Sequence, residues 1–177
     1  MSKEILILLG SPRRGGNSER LAEAFAEGAR LAGHRVELVP TLSIGPCTAC
    51  DYCRSHAGSC VQQDEMQALY PRIQRADILV FASPVYYYGL SAQIKCAIDR
   101  FYCIPNQVFA GKGCILLASA GGDDSVFSPM RVQYEAIFHY LGMRDLGSVT
   151  ASGIMEKGAV CGTAKLEEAK SLGQSLC

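Results

Sequence analysis

The chain has 177 residues and balances 17 lysines and arginines against 17 aspartates and glutamates. No charge excess draws it to nucleic acid or to an anionic membrane surface, and its length suffices to bury a core without disulfides or a structural metal. Apolar runs such as "ILILLG" and "ADILVFA" fall far short of the ~20 residues that cross a bilayer. The start "MSKEILILLGSPRR" passes from a charged end straight into a strand pattern. The expectation is one cytoplasmic domain over residues 1–177, with no cleaved signal and no membrane or nucleic-acid partner.

Glu4–Leu9 reads as a strand. The following "NSERLAEAFAEGARLAG" sets Leu21, Ala24, Phe25, Gly28 and Leu31 at helical spacing, with Asn17 or Ser18 as N-cap and Gly33 as stop. Strand patterns recur at Arg35–Val39, Asp77–Ala82, Gly113–Ser119 and Gly147–Ala151. Helical ones fall at Asp64–Gln74, Ser91–Phe101, Pro129–Leu141 and Thr163–Leu172. This alternation, with nearly continuous apolar strands, predicts an α/β fold whose parallel sheet is covered on both faces through right-handed crossovers. Ligands of such sheets sit beyond the carboxyl ends of the strands. The loops to read are therefore "GSPRRGGNS", "PTLSIGPCTACDYC", "SPVYYYG" and "ASAGGDD".

The first of these joins a strand to a helix N-terminus, where free amides and the helix dipole attract an anion. Ser11, Asn17 and Ser18 add neutral donors and Arg13 or Arg14 a cation. It lacks the lysine of a P-loop and does not match the dinucleotide G-x-G-x-x-G pattern. A phosphomonoester suits it; a polar turn capping a helix is the plainer reading. The third and fourth loops offer aromatics and small residues whose amides can lie against a flat ring.

Of nine cysteines, Cys47, Cys50, Cys53 and Cys60 fall in "PCTACDYCRSHAGSC". Cys96, Cys103, Cys114, Cys161 and Cys177 are isolated and read as structural. Three thiolates at two-residue gaps can wrap one face of a cubane and a fourth can close it, the ligation of a 4Fe-4S cluster. Structural zinc more often uses two separated pairs. Reduced spectator thiols, a redox disulfide, or a zinc-pinned loop that makes a partner surface are the alternatives. His56 and Gly58 read as loop filler.

"GSPRRGGNS", "SPVYYYGLSAQIKCAIDR" and "SAGGD", in this order from Ile5 to about Leu141, resemble the NADPH-dependent FMN reductase and flavodoxin-like superfamily. The resemblance implies a flavodoxin-like three-layer sandwich with a five-stranded parallel sheet of order 2-1-3-4-5. It implies FMN, with Ser11, Arg13, Asn17 and Ser18 at the phosphate. Pro84, Val85, Tyr86, Tyr87, Tyr88 and Gly89 would flank the flavin on one side, and Ser119, Ala120, Gly121 and Gly122 on another; some of the tyrosines are alternatively subunit contacts. Lys95, Asp99 and Arg100, at helical spacing, read as packing and ion-pair residues.

The cysteine stretch resembles the iron-sulfur flavoprotein branch of that superfamily, which implies Cys47, Cys50, Cys53 and Cys60 as cluster ligands. The function so implied is a flavin-dependent oxidoreductase moving electrons from ferredoxin or NAD(P)H to a quinone or oxygen species, as a homodimer or homotetramer. A cluster-free NAD(P)H-dependent FMN or quinone reductase is the alternative. No catalytic side chain is expected, because the flavin carries the chemistry. A pure electron carrier fits the neutral charge poorly.

Overall fold

Segments that are apolar at odd and even positions alike have no face to turn to water, so they gather in the middle of a sheet with helices on both sides. The computed structural model describes residues 1–177 and follows this rule. Its strands are β1 (Glu4–Leu9), β2 (Arg35–Pro40), β3 (Ile78–Tyr86), β4 (Gly89–Leu90), β5 (Gly113–Ser119) and β6 (Arg144–Ala151). Its helices are α1 (Asn17–Leu31), α2 (Tyr52–Ser55), α3 (Met66–Arg75), α4 (Ala92–Asp99), α5 (Phe127–Tyr140) and α6 (Lys165–Gln174).

Five strands pair in parallel in the order β2-β1-β3-β5-β6, which is the expected 2-1-3-4-5 arrangement of a flavodoxin-like fold. A sixth strand departs from the expectation of five: β4 is a two-residue antiparallel spur on the end of β3, pairing Val85 with Leu90 and Tyr86 with Gly89. β3 runs past the expected Ala82, because Ser83 and Pro84 still find register partners in Ala118 and Ser119. β6 likewise starts earlier than expected, at Arg144, where its register against β5 shifts between Cys114 and Leu116.

Alternation along β1 separates the two cores. Ile5 and Ile7 join Leu21 and Phe25 of α1, Ala169 of α6, and Val80 and Ile115. Leu6 and Leu8 join Leu69 and Ile73 of α3, Ile94 and Ile98 of α4, and Phe138 of α5. On the first face α1 and α6 touch backbone to backbone: a Cβ on Gly28 would lie 1.9 Å from the Lys170 carbonyl oxygen, so no side chain fits there. On the second, Phe81 packs on Phe138 with ring centroids 4.3 Å apart and Phe101 on Phe109 at 5.0 Å. No helix is long and apolar enough to cross a membrane.

Ser91, fully buried, ties the carboxyl edge together. Its hydroxyl donates to the Gly10 carbonyl at 2.6 Å, its amide donates to Ser83 Oγ at 2.9 Å, and it caps α4. Ser91→Ala leaves a buried carbonyl without its donor, so urea unfolding of this variant is expected to show a loss of about 1–3 kcal/mol with an unchanged m-value.

Candidate functional site

The loops leaving β1, β3 and β5 meet the segment after β6 around a groove of about 350 Å³, within the roughly 300–1,000 Å³ of small-molecule sites. Ser11, Arg13, Asn17 and Ser18 lie at its β1 end. Pro84, Val85 and Tyr86 form one wall, and Ser119, Ala120, Gly121 and Gly122 another. Bare backbone at Gly121 lets the Met155 side chain pack on it, a Cβ there lying 2.6 Å from Met155 Cε. The sequence reading missed Ile154, Met155 and Lys157, which complete the groove. They belong to no motif and reach it through a long-range contact.

That contact is Asn17. Its Nδ2 donates to the carbonyls of Ile154 and Glu156 at 3.0 and 2.9 Å, while its Oδ1 accepts from the Val160 amide at 3.2 Å. The side chain is thus committed to holding the loop after β6. In the first loop the Arg13 amide donates to Ser11 Oγ at 3.1 Å, the Gly16 amide to the Arg13 carbonyl at 3.0 Å, and the Gly15 amide to Glu19 Oε2 at 2.6 Å. The first-turn amides of α1 have no acceptor within the helix. Arg14, the other cation considered, does not line the groove.

Tyr87, Tyr88 and Gly89 do not line it either. Tyr87 and Tyr88 have φ of 46° and 64° and form the two-residue turn between β3 and β4, the positive-φ pattern of a type I′ hairpin. Asn and Gly favour that turn; tyrosines there project outward, with Tyr87 fully exposed.

The cysteine loop forms a second cavity on the same edge, sharing no residue with the groove. Its base is a buried ion pair. Arg100, 1 % exposed, donates to both Asp64 oxygens at 2.9 and 3.3 Å, to the Gly45 carbonyl at 3.2 Å and to the Tyr70 hydroxyl at 3.3 Å. Asp64 accepts in turn from the amides of Gly45 and Met66. Burial works to raise the Asp64 carboxyl, but Arg100 and these amides together outweigh it and hold it below the usual carboxylate range.

The thiols differ from the expected ligand set. Cys47, Cys50, Cys53 and Cys60 line the cavity, but no three metal-ligating side chains come together as a metal-binding group, and the cavity, about 20 Å³, has room for a single water. A cubane does not fit the loop as it stands. Cys103, read as an isolated core residue, lines the same cavity and donates to the Gly58 carbonyl at 2.6 Å. His56, the residue after α2, stacks on Tyr52 at the start of that helix, ring centroids 3.6 Å apart. Ala49, Asp51 and Ala57 all have positive φ, so the backbone around the thiols is strained.

A flavodoxin-like sheet with a groove of this kind at its carboxyl edge is a frame that holds a small ligand beyond its strand ends. Residues 4–155 match the family described as NADPH-dependent FMN reductase, and the chain belongs to that family, whose cofactor is FMN. An iron-sulfur flavoprotein of Archaeoglobus fulgidus is 40% identical over 95 residues, covering 52% of this chain and 43% of that protein. The chain thus spans under half of that relative's length. A quinone reductase of Escherichia coli is 30% identical over 136 residues, covering 74% of this chain and 65% of that protein. In fold the chain is similar to the NAD(P)H:quinone oxidoreductase of Methanothermobacter marburgensis, with a TM-score of 0.79, 23% identity and full coverage of both chains.

Two outcomes follow for the cysteine loop. Asp64→Asn leaves the buried guanidinium without its counter-charge and is expected to cost about 3 kcal/mol at neutral pH. Because the folded pKa of Asp64 lies below its unfolded value, that stabilisation is present above the unfolded pKa and lost as pH falls through the folded one. Denaturation of the two proteins should therefore converge in acid. The second outcome concerns reactivity. The Tyr52 amide and then the Thr48 hydroxyl lower the exposed Cys50 thiol, whereas burial raises Cys103 and pushes Cys114 up to about 11. Peptide mapping after brief iodoacetamide treatment of the reduced protein should find Cys50 modified well before Cys103 or Cys114.

Proposed function

We propose that the chain, as one domain, is an NAD(P)H-dependent FMN reductase delivering electrons to a small acceptor of the quinone class. The groove carries this reading: one end combines a cation with free first-turn amides, and its middle is walled by bare backbone at Gly121 and Gly122. When bound, FMN supplies hydride acceptance and the release of electrons singly or in pairs. Ser11, Arg13 and Ser18 serve the phosphate, Asn17 holds the loop after β6, and Ser119–Gly122 with Pro84–Tyr86 confine the ring. No side chain is assigned a catalytic role. Exposed Tyr87, Tyr88, Tyr102 and Tyr140 support a homodimer or homotetramer.

A second reading is favoured by the strained backbone at Ala49, Asp51 and Ala57. In it the cysteine loop opens to take a 4Fe-4S cluster on Cys47, Cys50, Cys53 and Cys60, and ferredoxin is the donor. Flavin, iron and acid-labile sulfide analysis of protein purified without air, followed by stopped-flow reduction with NADPH, decides between them. FMN without iron, rapidly reduced by NADPH and reoxidised by a quinone, is the expected result. Iron and sulfide together with sluggish NADPH reduction would overturn it in favour of the cluster protein, and a preparation binding no flavin would overturn both.

A further inference from the structure

The loop after β6 ends over the tip of the first loop. A Cβ on Gly15 would lie 3.5 Å from Lys157 Cε and 3.9 Å from its Nζ, so the ammonium group rests above a glycine with no side chain to displace it. Lys157 lines the groove with Arg13. The chain's seven ion pairs use neither residue. The neighbouring Arg20 is committed to Glu23 at 2.8 Å. Meanwhile the amides of Arg13, Gly15 and Gly16 are spent on Ser11, Glu19 and the Arg13 carbonyl, and the Glu19 carboxylate adds negative charge beside the tip. A dianion entering this end of the groove therefore meets the first-turn amides of α1 and side-chain cations, with little help from the amides of the loop itself.

We infer that Lys157, delivered from the far end of the chain by Asn17, is the second cation that reads the phosphomonoester of FMN. Asn17 is then a positioning residue. Its three hydrogen bonds to Ile154, Glu156 and Val160 fix the loop that carries Lys157, and its own amide has no hydrogen left for the ligand. The inference rests on the groove being the FMN site. It adds a specificity: the protein separates FMN from riboflavin by charge supplied from a loop outside the phosphate-facing strand–helix turn.

The test is flavin affinity of the apoprotein, measured by fluorescence quenching with FMN and with riboflavin. Lys157→Met is expected to weaken FMN about tenfold or more, the worth of a charge-assisted hydrogen bond, to leave riboflavin unchanged and to flatten the salt dependence of FMN binding. Lys157→Arg should restore most of the loss. Asn17→Ala should weaken FMN in the wild-type background and much less in the Lys157→Met background, the non-additivity of two residues acting through one contact.

An unchanged FMN-to-riboflavin ratio in Lys157→Met overturns the inference, as does an equal loss for both flavins. A variant with normal FMN affinity but a lost preference for NADPH over NADH also overturns it, by assigning the cation to the donor's phosphate. If the wild-type apoprotein binds neither flavin, the failure belongs to the FMN reading itself; if it binds FMN and Lys157→Met keeps the wild-type FMN-to-riboflavin ratio, the failure belongs to the role of Lys157 alone.

Discussion

Burial of the central strands on both faces is the constraint from which the rest follows. β1, β3 and β5 carry an apolar side chain toward one helical layer and the next toward the other, so no polar group can be spent along their length. Chemistry is confined to where the strands stop. The buried hydroxyls of Ser83 and Ser91 lie at that boundary: Ser83 Oγ accepts from the Ser91 amide and donates to the Pro84 carbonyl, and the Ser91 hydroxyl donates to the Gly10 carbonyl. They let three chain turns converge on one edge without an unpaired donor.

Two cavities share this edge but are held by different physics. The groove is framed by neutral contacts, with backbone amides, the Asn17 carboxamide and close packing of Met155 on Gly121. The base of the cysteine loop rests instead on a charged pair, Arg100 with Asp64, which joins the start of that loop to the beginning of α3 and the end of α4, while Cys103, Tyr102 and Gln67 hold its outer part at Gly58, Asp51 and Cys60. A desolvated guanidinium is costly when left alone. The loop's base therefore carries a charged interaction that is costly to break, while the groove's frame has none.

The strands and the long helices were legible because their apolar periodicity is local. α1 and β5 could be placed from neighbouring residues alone, and the motif loops fell where a doubly wound sheet puts them. What escaped is non-local. Nothing near Lys157 or Met155 in the chain announces a place in the groove; their loop is brought there through Asn17, whose partners lie 137 to 143 residues away in sequence. Cys103 looked like an ordinary core residue because its relation to Cys53 and Cys60 exists only after the turn following α4 has folded back under the loop. β4 was missed because two tyrosines are poor predictors of a tight hairpin turn.

Those tyrosines bear on how firmly the rim beside the groove is held. Holding Tyr87 and Tyr88 in the left-handed region stores about 1–3 kcal/mol at each, and the spur is tethered by only two residue pairs. The stored strain subtracts from the work needed to swing the spur outward. The mouth beside Tyr86 is thereby bounded by a strained two-residue turn. Asn-Gly in place of the two tyrosines would remove that stored energy without touching a residue of the groove wall.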